Sequence, residues 1–128
     1  MPTFPVVTGD VLTSTIFNGL PAFTVQTAKT ADYTAATGDE YQQLIPMNKA
    51  TAVAFKIPVD ATYNFPVGTV ITVLNIGVGT CTISAVTPGT TTVLSAGATA
   101  ASPTLAQYKS AAIIKTAANA YYVVGAIA

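Results

Sequence analysis

The chain has 128 residues, of which 51% are hydrophobic and only 8% are charged, with five lysines, five acidic residues and neither arginine nor histidine. This length predicts one domain with a modest core, and the scattered lysines offer the phosphates of a nucleic acid little to bind. The lack of histidine excludes Ser-His and Cys-His catalysis, and so few charges predict a surface partly covered by further copies of the chain or by another protein.

Residues 1–22 differ in composition from the rest of the chain. Three prolines in this segment flank Thr8-Gly9-Asp10 and Asn18-Gly19, a pattern that favours an extended arm with one short helical turn over residues 11–17. The first residues carry no positive charge, so no secretion signal is predicted and synthesis in a cytoplasm is expected.

Residues 23–128 are predicted to form one β-domain, because β-branched residues are frequent and turn formers recur at short spacing. This pattern favours an all-β fold, an antiparallel β-sandwich or barrel-like knob with the N-terminal arm extending from it. Gly77-Val78-Gly79 is predicted to be a hairpin turn. The predicted strands lie near 23–28, 41–46, 51–57, 69–76, 80–86, 90–95, 105–116 and 120–127.

Two kinds of strand are expected. Val53, Phe55 and Ile57 alternate with smaller or polar residues, as in a half-buried strand. In 69–76 and 121–127 apolar residues occupy both faces, which predicts one face against the core and the other against a neighbouring subunit. The alternative is a strand sandwiched entirely within one subunit. The predicted oligomer-interface residues are Val70, Val73, Leu74, Tyr122, Val124 and Ile127.

Few residues are candidates for chemistry. Lys109 and Ser110 are adjacent and would point to opposite faces of a strand, so a Ser-Lys pair is not expected. Asp39 and Glu40, with Asp32 nearby, lack the spacing of a calcium loop and are interpreted as solvated turn carboxylates, the alternative being an ion bound on a threefold axis. We predict no catalytic residue, no metal and no cofactor, and thus no enzyme.

The single cysteine, Cys81, alternates with Ile83 and Ala85 on one face of a predicted strand. It is therefore interpreted as a small buried hydrophobe, and no internal disulfide is possible. The aromatic residues are interpreted as core or interface residues, with a sugar-stacking platform as the alternative. The tyrosines considered for such a platform are Tyr33, Tyr41, Tyr63 and Tyr108.

Several segments together resemble a β-domain that recurs in structural proteins of tailed bacteriophages. They are Asp32-Tyr33, Phe65-Pro66-Val67-Gly68-Thr69-Val70-Ile71, Gly77-Val78-Gly79-Thr80, Leu105-Ala106-Gln107-Tyr108-Lys109-Ser110-Ala111 and Asn119-Ala120-Tyr121-Tyr122-Val123-Val124-Gly125. The resemblance extends over about three-quarters of the chain. Phe4 to Asn18 is similar to the N-terminal leader of many short phage virion proteins. Where the family often carries an arginine and a tryptophan, this chain has Lys109 and Tyr121-Tyr122.

The resemblance implies a virion protein that is synthesised in the cytoplasm of a bacterial host. In larger relatives the domain ends a tail fibre, whereas a free-standing copy with a leader arm suits a capsid decoration, or cement, protein on the outer capsid surface. The expected partners are the major capsid protein and further copies of the chain, as a homotrimer over local threefold positions. No nucleic acid is expected as a partner, because the lysines are scattered. No membrane is expected, since Lys115 and Asn119 interrupt the most apolar stretch.

The arm is expected to bind grooves between capsid subunits and so clamp the shell. The alternative function is a tail or fibre-tip module that binds host surface glycans through tyrosines. The predicted capsid-binding residues of the arm are Phe4, Pro5, Val6, Val7, Val11, Leu12, Ile16 and Phe17.

Overall fold

A computed structural model describes residues 24–41, 43–96 and 100–128, which form ten β-strands and no helix. Within these ranges, no helix is long and apolar enough to cross a membrane. The predicted arm lies outside the described residues. The strands are β1 Thr24–Val25, β2 Tyr33–Thr34, β3 Gln43–Met47, β4 Val53–Ile57, β5 Val70–Asn75, β6 Cys81–Ala85, β7 Thr92–Ser95, β8 Thr104–Leu105, β9 Ser110–Ala117 and β10 Ala120–Gly125.

The strands form two sheets, one of six strands in the order β1-β3-β5-β9-β10-β7 and one of four strands in the order β2-β4-β6-β8. The predicted all-β, sandwich-like fold is therefore confirmed. The pairing differs from the antiparallel expectation, because five of the eight described strand pairs are parallel. Both sheets are mixed.

Four of the five parallel pairs arise because three chain segments each pass through both sheets, and the fifth joins β7 and β10. Residues 24–34, 43–57 and 70–85 each supply one strand to the six-stranded sheet and then one to the four-stranded sheet. Neighbouring segments run side by side in the same direction, so β1, β3 and β5 pair in parallel in one sheet and β2, β4 and β6 in the other.

Gly77-Val78-Gly79 is such a crossing from β5 to β6, so the predicted hairpin turn is wrong. The crossing lies directly against the equivalent crossing of the previous segment, where the Gly79 amide donates to the Lys49 carbonyl at 2.9 Å. A Cβ atom at Gly79 would overlap the backbone of Thr51. Glycine is thus required by close backbone contact and not by a tight reversal of the chain.

The core lies between the sheets and is built from inward-facing positions of both. The predicted alternation of Val53, Phe55 and Ile57 is confirmed, since all three are buried. Cys81 is also buried, as predicted, and so is Ile83 on the same strand. Burial of these side chains follows the period-two rule for strands with one covered face.

One buried position is charged. Lys115 of β9 is 1% exposed, and its Nζ lies 2.8 Å from Asp60 Oδ1 and 2.7 Å from Asn64 Oδ1. Asp60 in turn accepts a hydrogen bond from the Asn119 amide at 2.9 Å. This network ties the connection between β4 and β5 to the centre of the larger sheet, because a buried ammonium requires paired acceptors.

Two short strands, β2 and β8, were not predicted as separate elements. The predicted strand 105–116 is interrupted between β8 and β9, where Tyr108 has a φ of 65°. A bulky residue in the left-handed region cannot continue a strand. The chain turns there instead, with the Tyr108 amide donating to the Asn75 carbonyl at 2.6 Å.

Candidate functional site

The outer face of the six-stranded sheet is the feature of the described structure that best fits a binding role. In β5 the odd-numbered Ile71 and Val73 point into the core, which turns Val70, Thr72 and Leu74 outward. Val70 is 44% exposed. A strand that is apolar on both faces thus presents one apolar face to the outside of the subunit.

Register aligns the outward residues of four adjacent strands into one row. Val70 lies opposite Ile114, Ile114 opposite Tyr122, and Tyr122 opposite Leu94. With strands about 4.8 Å apart, the row is roughly 14 Å long. We call Val70, Ile114, Tyr122 and Leu94 the apolar row. Cross-strand neighbours at such positions lie close enough to form a continuous surface.

A second line of outward residues lies beside the apolar row. It aligns Leu44, Thr72, Ala112 and Val124 across β3, β5, β9 and β10. Val124 is 50% exposed and Tyr122 47%. Neighbouring exposed apolar side chains are typical of surfaces that bind other molecules, whereas single exposed ones need no explanation.

This face carries no charge among the described residues. The only charged residue in the six strands is Lys115, and it points inward. The sequence has no charged residue at all from 61 to 108. Partners that bind mainly through ion pairs therefore find nothing to pair with here, and the available driving force is burial of apolar area.

A cavity of about 410 Å³ opens at the carboxyl ends of the paired strands β7 and β10. Leu94, Tyr122, Val124 and Ile127 contribute to its lining, which is largely apolar. Because three of these residues also belong to the outer face, the cavity extends that face toward the edge of the sheet.

The outer face of the four-stranded sheet has the opposite chemistry. There Thr34 aligns with Lys56 and Ser84, and a neighbouring line contains Thr82 and Thr104. Hydroxyl and ammonium groups that face water keep their hydration, so their exposure carries no desolvation cost. The two outer faces of one small domain thus differ sharply in polarity.

The predicted interface residues are mostly found on this outer face. Val70, Leu74, Tyr122 and Val124 project from it. Val73 does not, because it is fully buried in the core, so its assignment to an interface between subunits is wrong. Val70, Tyr122 and Val124 are 44%, 47% and 50% exposed, so no described part of the chain covers them fully.

Ile127, the remaining predicted interface residue, is partly buried and packs against the core beside the cavity. Sequence reasoning missed Ile114 and Leu94 of the apolar row. The available signal was the pair of consecutive apolar residues in each strand, Ile113-Ile114 and Val93-Leu94, since neighbours in a strand face opposite sides. The predicted arm residues lie outside the described part of the chain.

The predicted solvated turn around Asp39 is wrong for that residue. Asp39 is 3% exposed and accepts hydrogen bonds from Gln26 Nε2 at 2.6 Å, Tyr33 Oη at 2.8 Å and the Ala36 amide at 2.8 Å. Burial and the hydrogen bond to Asp39 raise the pKa of Tyr33. Glu40 is bound similarly by Tyr63. Within the described residues, no group of three or more potential ligands could hold a metal.

The tyrosines considered for sugar binding divide into two pairs. Tyr33 and Tyr63 use their hydroxyls to hold Asp39 and Glu40. Tyr41 and Tyr108 are 48% and 75% exposed. Half of the set thus contributes its hydroxyls to one turn, while the other half is exposed.

Searches of protein-family models, of curated proteins and of solved structures find no match to this chain.

Proposed function

We propose that this chain is a non-enzymatic structural protein, a capsid decoration (cement) protein of a tailed bacteriophage, that stabilises the shell by holding major capsid protein subunits together. The observation that carries the docking part of this proposal is the contrast between the two outer faces. The phage assignment rests on the sequence resemblance described above.

The contrast supports docking for an energetic reason. Covering an apolar surface with a partner protein stabilises the complex by roughly 25 cal/mol for each Å² removed from water. The hydroxyl-rich face of the smaller sheet gains little from being covered, because its polar groups lose water on burial. A subunit with one face of each kind is therefore suited to sit between another protein and solvent.

Residues 1–22 are the second element of the proposal, as an arm that binds between capsid subunits. Several weak arms on a small oligomer hold a shell more firmly than one arm alone, because each bound arm raises the local concentration of the others. Binding through uncharged surfaces is expected to be insensitive to salt.

The test uses capsids that lack the protein and two variants that place the same charge on opposite faces. Val124→Lys is expected to weaken co-sedimentation with capsids about tenfold or more, because a lysine would be desolvated in the contact. Thr82→Lys, on the other sheet, is expected to bind as the unmodified chain does. Equal binding by both variants would exclude the apolar face as the docking surface.

A second measurement addresses location on the particle. The ratio of this protein to the major capsid protein in purified virions is expected to be high, as for a protein that covers the shell. A ratio matching only a few copies per particle would instead support the tail or fibre-tip alternative.

A further inference from the structure

The edges of the two sheets are not equally protected. Edge strands expose unpaired backbone groups, and proteins usually shorten, charge or cover them. β1, β2 and β8 have two residues each. The β2 edge also has Lys29 over the Tyr33 ring at 4.4 Å, and at β8 the Ala128 amide donates to the Thr104 carbonyl at 3.0 Å.

β7 is the exception among the four described edges. It has four residues, Thr92–Ser95, with no charge and no proline. The Thr92 amide donates to the Asn119 carbonyl at 2.8 Å, which directs the backbone groups of Thr92 and Leu94 toward β10. Because these groups alternate along a strand, those of Val93 and Ser95 point away from the sheet.

We propose that β7 pairs with β7 of a second copy, antiparallel and about a two-fold axis. In the matching register, Leu94 lies on the axis beside Leu94 of the partner subunit. Val93 and Ser95 then each exchange backbone hydrogen bonds with the partner strand. This pairing concerns the chain alone and does not depend on the proposed role in a virion.

A second copy is the favoured occupant because of charge and continuity. All of β7 lies in the uncharged segment 61–108, so a charged partner strand would find no opposite charge on β7. Opposite residues of an antiparallel pair lie on the same face, so the two copies of Leu94 would join two apolar rows into one. The joined row would cross eight strands and be roughly 34 Å long.

A two-fold pairing produces a dimer and replaces the trimer expected from the sequence, since a strand paired with its own copy has two-fold symmetry. Pairing of the two β7 strands would also join the two six-stranded sheets into one and so double the apolar surface available for docking. The two proposals remain separable, because the dimer contact uses the edge of the sheet and docking uses its face.

The first experiment measures the mass of the full chain by sedimentation over a range of concentrations. The unmodified chain is expected to reach the mass of two 13.0 kDa subunits. Leu94→Lys is expected to weaken dimerisation about tenfold or more, because the two lysines would meet on the axis. The control Thr34→Lys, at the exposed edge strand β2, is expected to dimerise normally.

Amide hydrogen exchange of the same samples distinguishes the β7 edge from any other contact. The Val93 and Ser95 amides are expected to exchange slowly in the dimer and quickly at dilutions where the chain is a monomer. The Thr92 and Leu94 amides, bonded within the subunit, are expected to be slow in both. Rapid exchange of Val93 and Ser95 in an assembled sample, a trimeric mass, or a monomer at all concentrations would each overturn the pairing.

Val124→Lys separates this inference from the docking proposal. It lies on the face and not on the β7 edge, so it is expected to dimerise while losing capsid binding. Failure of the docking proposal alone would leave its dimerisation and the exchange pattern intact. Loss of dimerisation in Val124→Lys together with normal dimerisation of Leu94→Lys would move the contact from the edge to the face and overturn the pairing.

Discussion

Both sheets contribute inward-facing side chains to the same core, but their outer surfaces differ in polarity. The four-stranded sheet is apolar inside and carries Thr34, Lys56 and Ser84 outside. The six-stranded sheet is apolar outside along Ile114 and Tyr122, and the charge of its strands is inside. Alternation alone therefore identifies two faces of a strand without telling which one meets water.

The two strand lysines show this inversion most clearly. Lys56 of β4 lies on the hydrated face, where an ammonium group is ordinarily found. Lys115 of β9 is buried among acceptors. The larger sheet thus has an uncharged, largely apolar outer surface along its strands, while its one strand charge is paired inside the subunit.

The largest expected effect is a difference in stability between Lys115→Met and Lys56→Met. Removing the buried ammonium leaves Asp60 and Asn64 without their partner, which costs about 3–5 kcal/mol. Removing the outer ammonium is expected to change the free energy of unfolding by less than about 0.5 kcal/mol. Equilibrium unfolding in urea measures both. Equal losses of stability in the two variants would contradict the opposite placement of the two lysines.

The next effect compares consecutive isoleucines of β9. Ile113 is 1% exposed in the core, and Ile114 belongs to the apolar row. Ile113→Ala is expected to cost about 2–5 kcal/mol because it leaves a cavity. Ile114→Ala is expected to cost less in an isolated subunit and to weaken capsid binding instead. The comparison fails if Ile114→Ala destabilises the subunit as much and binding is unchanged.

The sequence was sufficient for the fold class and for the core of the smaller sheet. Period-two alternation around Phe55, and the position of Cys81 beside Ile83, follow directly from local composition, and both were predicted correctly. Burial raises the pKa of the Cys81 thiol to about 11, consistent with an inert buried residue. Local patterns work where one face is apolar and the other polar.

The remaining features depend on contacts between residues far apart in the chain. Lys115 could be placed inside only by knowing its contact with Asp60, 55 residues away. Burial of Asp39 depends likewise on Gln26 and Tyr33. Parallel pairing and the crossing at Gly79 follow from how whole segments stack. Val73 was misassigned because both faces of β5 are apolar, so alternation did not identify its inner side.

A smaller effect is expected from removing single hydroxyl groups of neighbouring tyrosines. The Tyr121 hydroxyl is buried and has no hydrogen-bond partner among the described residues. Tyr121→Phe is therefore expected to stabilise the subunit by about 1 kcal/mol. Tyr122→Phe, on the exposed face, is expected to change stability by less than about 0.5 kcal/mol. Destabilisation by Tyr121→Phe would indicate that the hydroxyl is hydrated or bonded.

The last comparison concerns ionisation of Tyr121, which does not contribute at neutral pH and affects stability only near and above pH 10. Burial, with a further contribution from Asp60, raises the pKa of Tyr121 from 10.0 to about 12. Between these values only the unfolded chain releases the proton, so the free energy of unfolding falls as the pH rises from 10 toward 12. Tyr121→Phe lacks this loss, and its advantage over the unmodified chain is expected to be constant below pH 10 and to grow above it. Urea unfolding of both proteins across this range measures the difference. Parallel curves would mean that the Tyr121 hydroxyl ionises as freely in the folded chain as in the unfolded one, and that water reaches the inner face of the larger sheet.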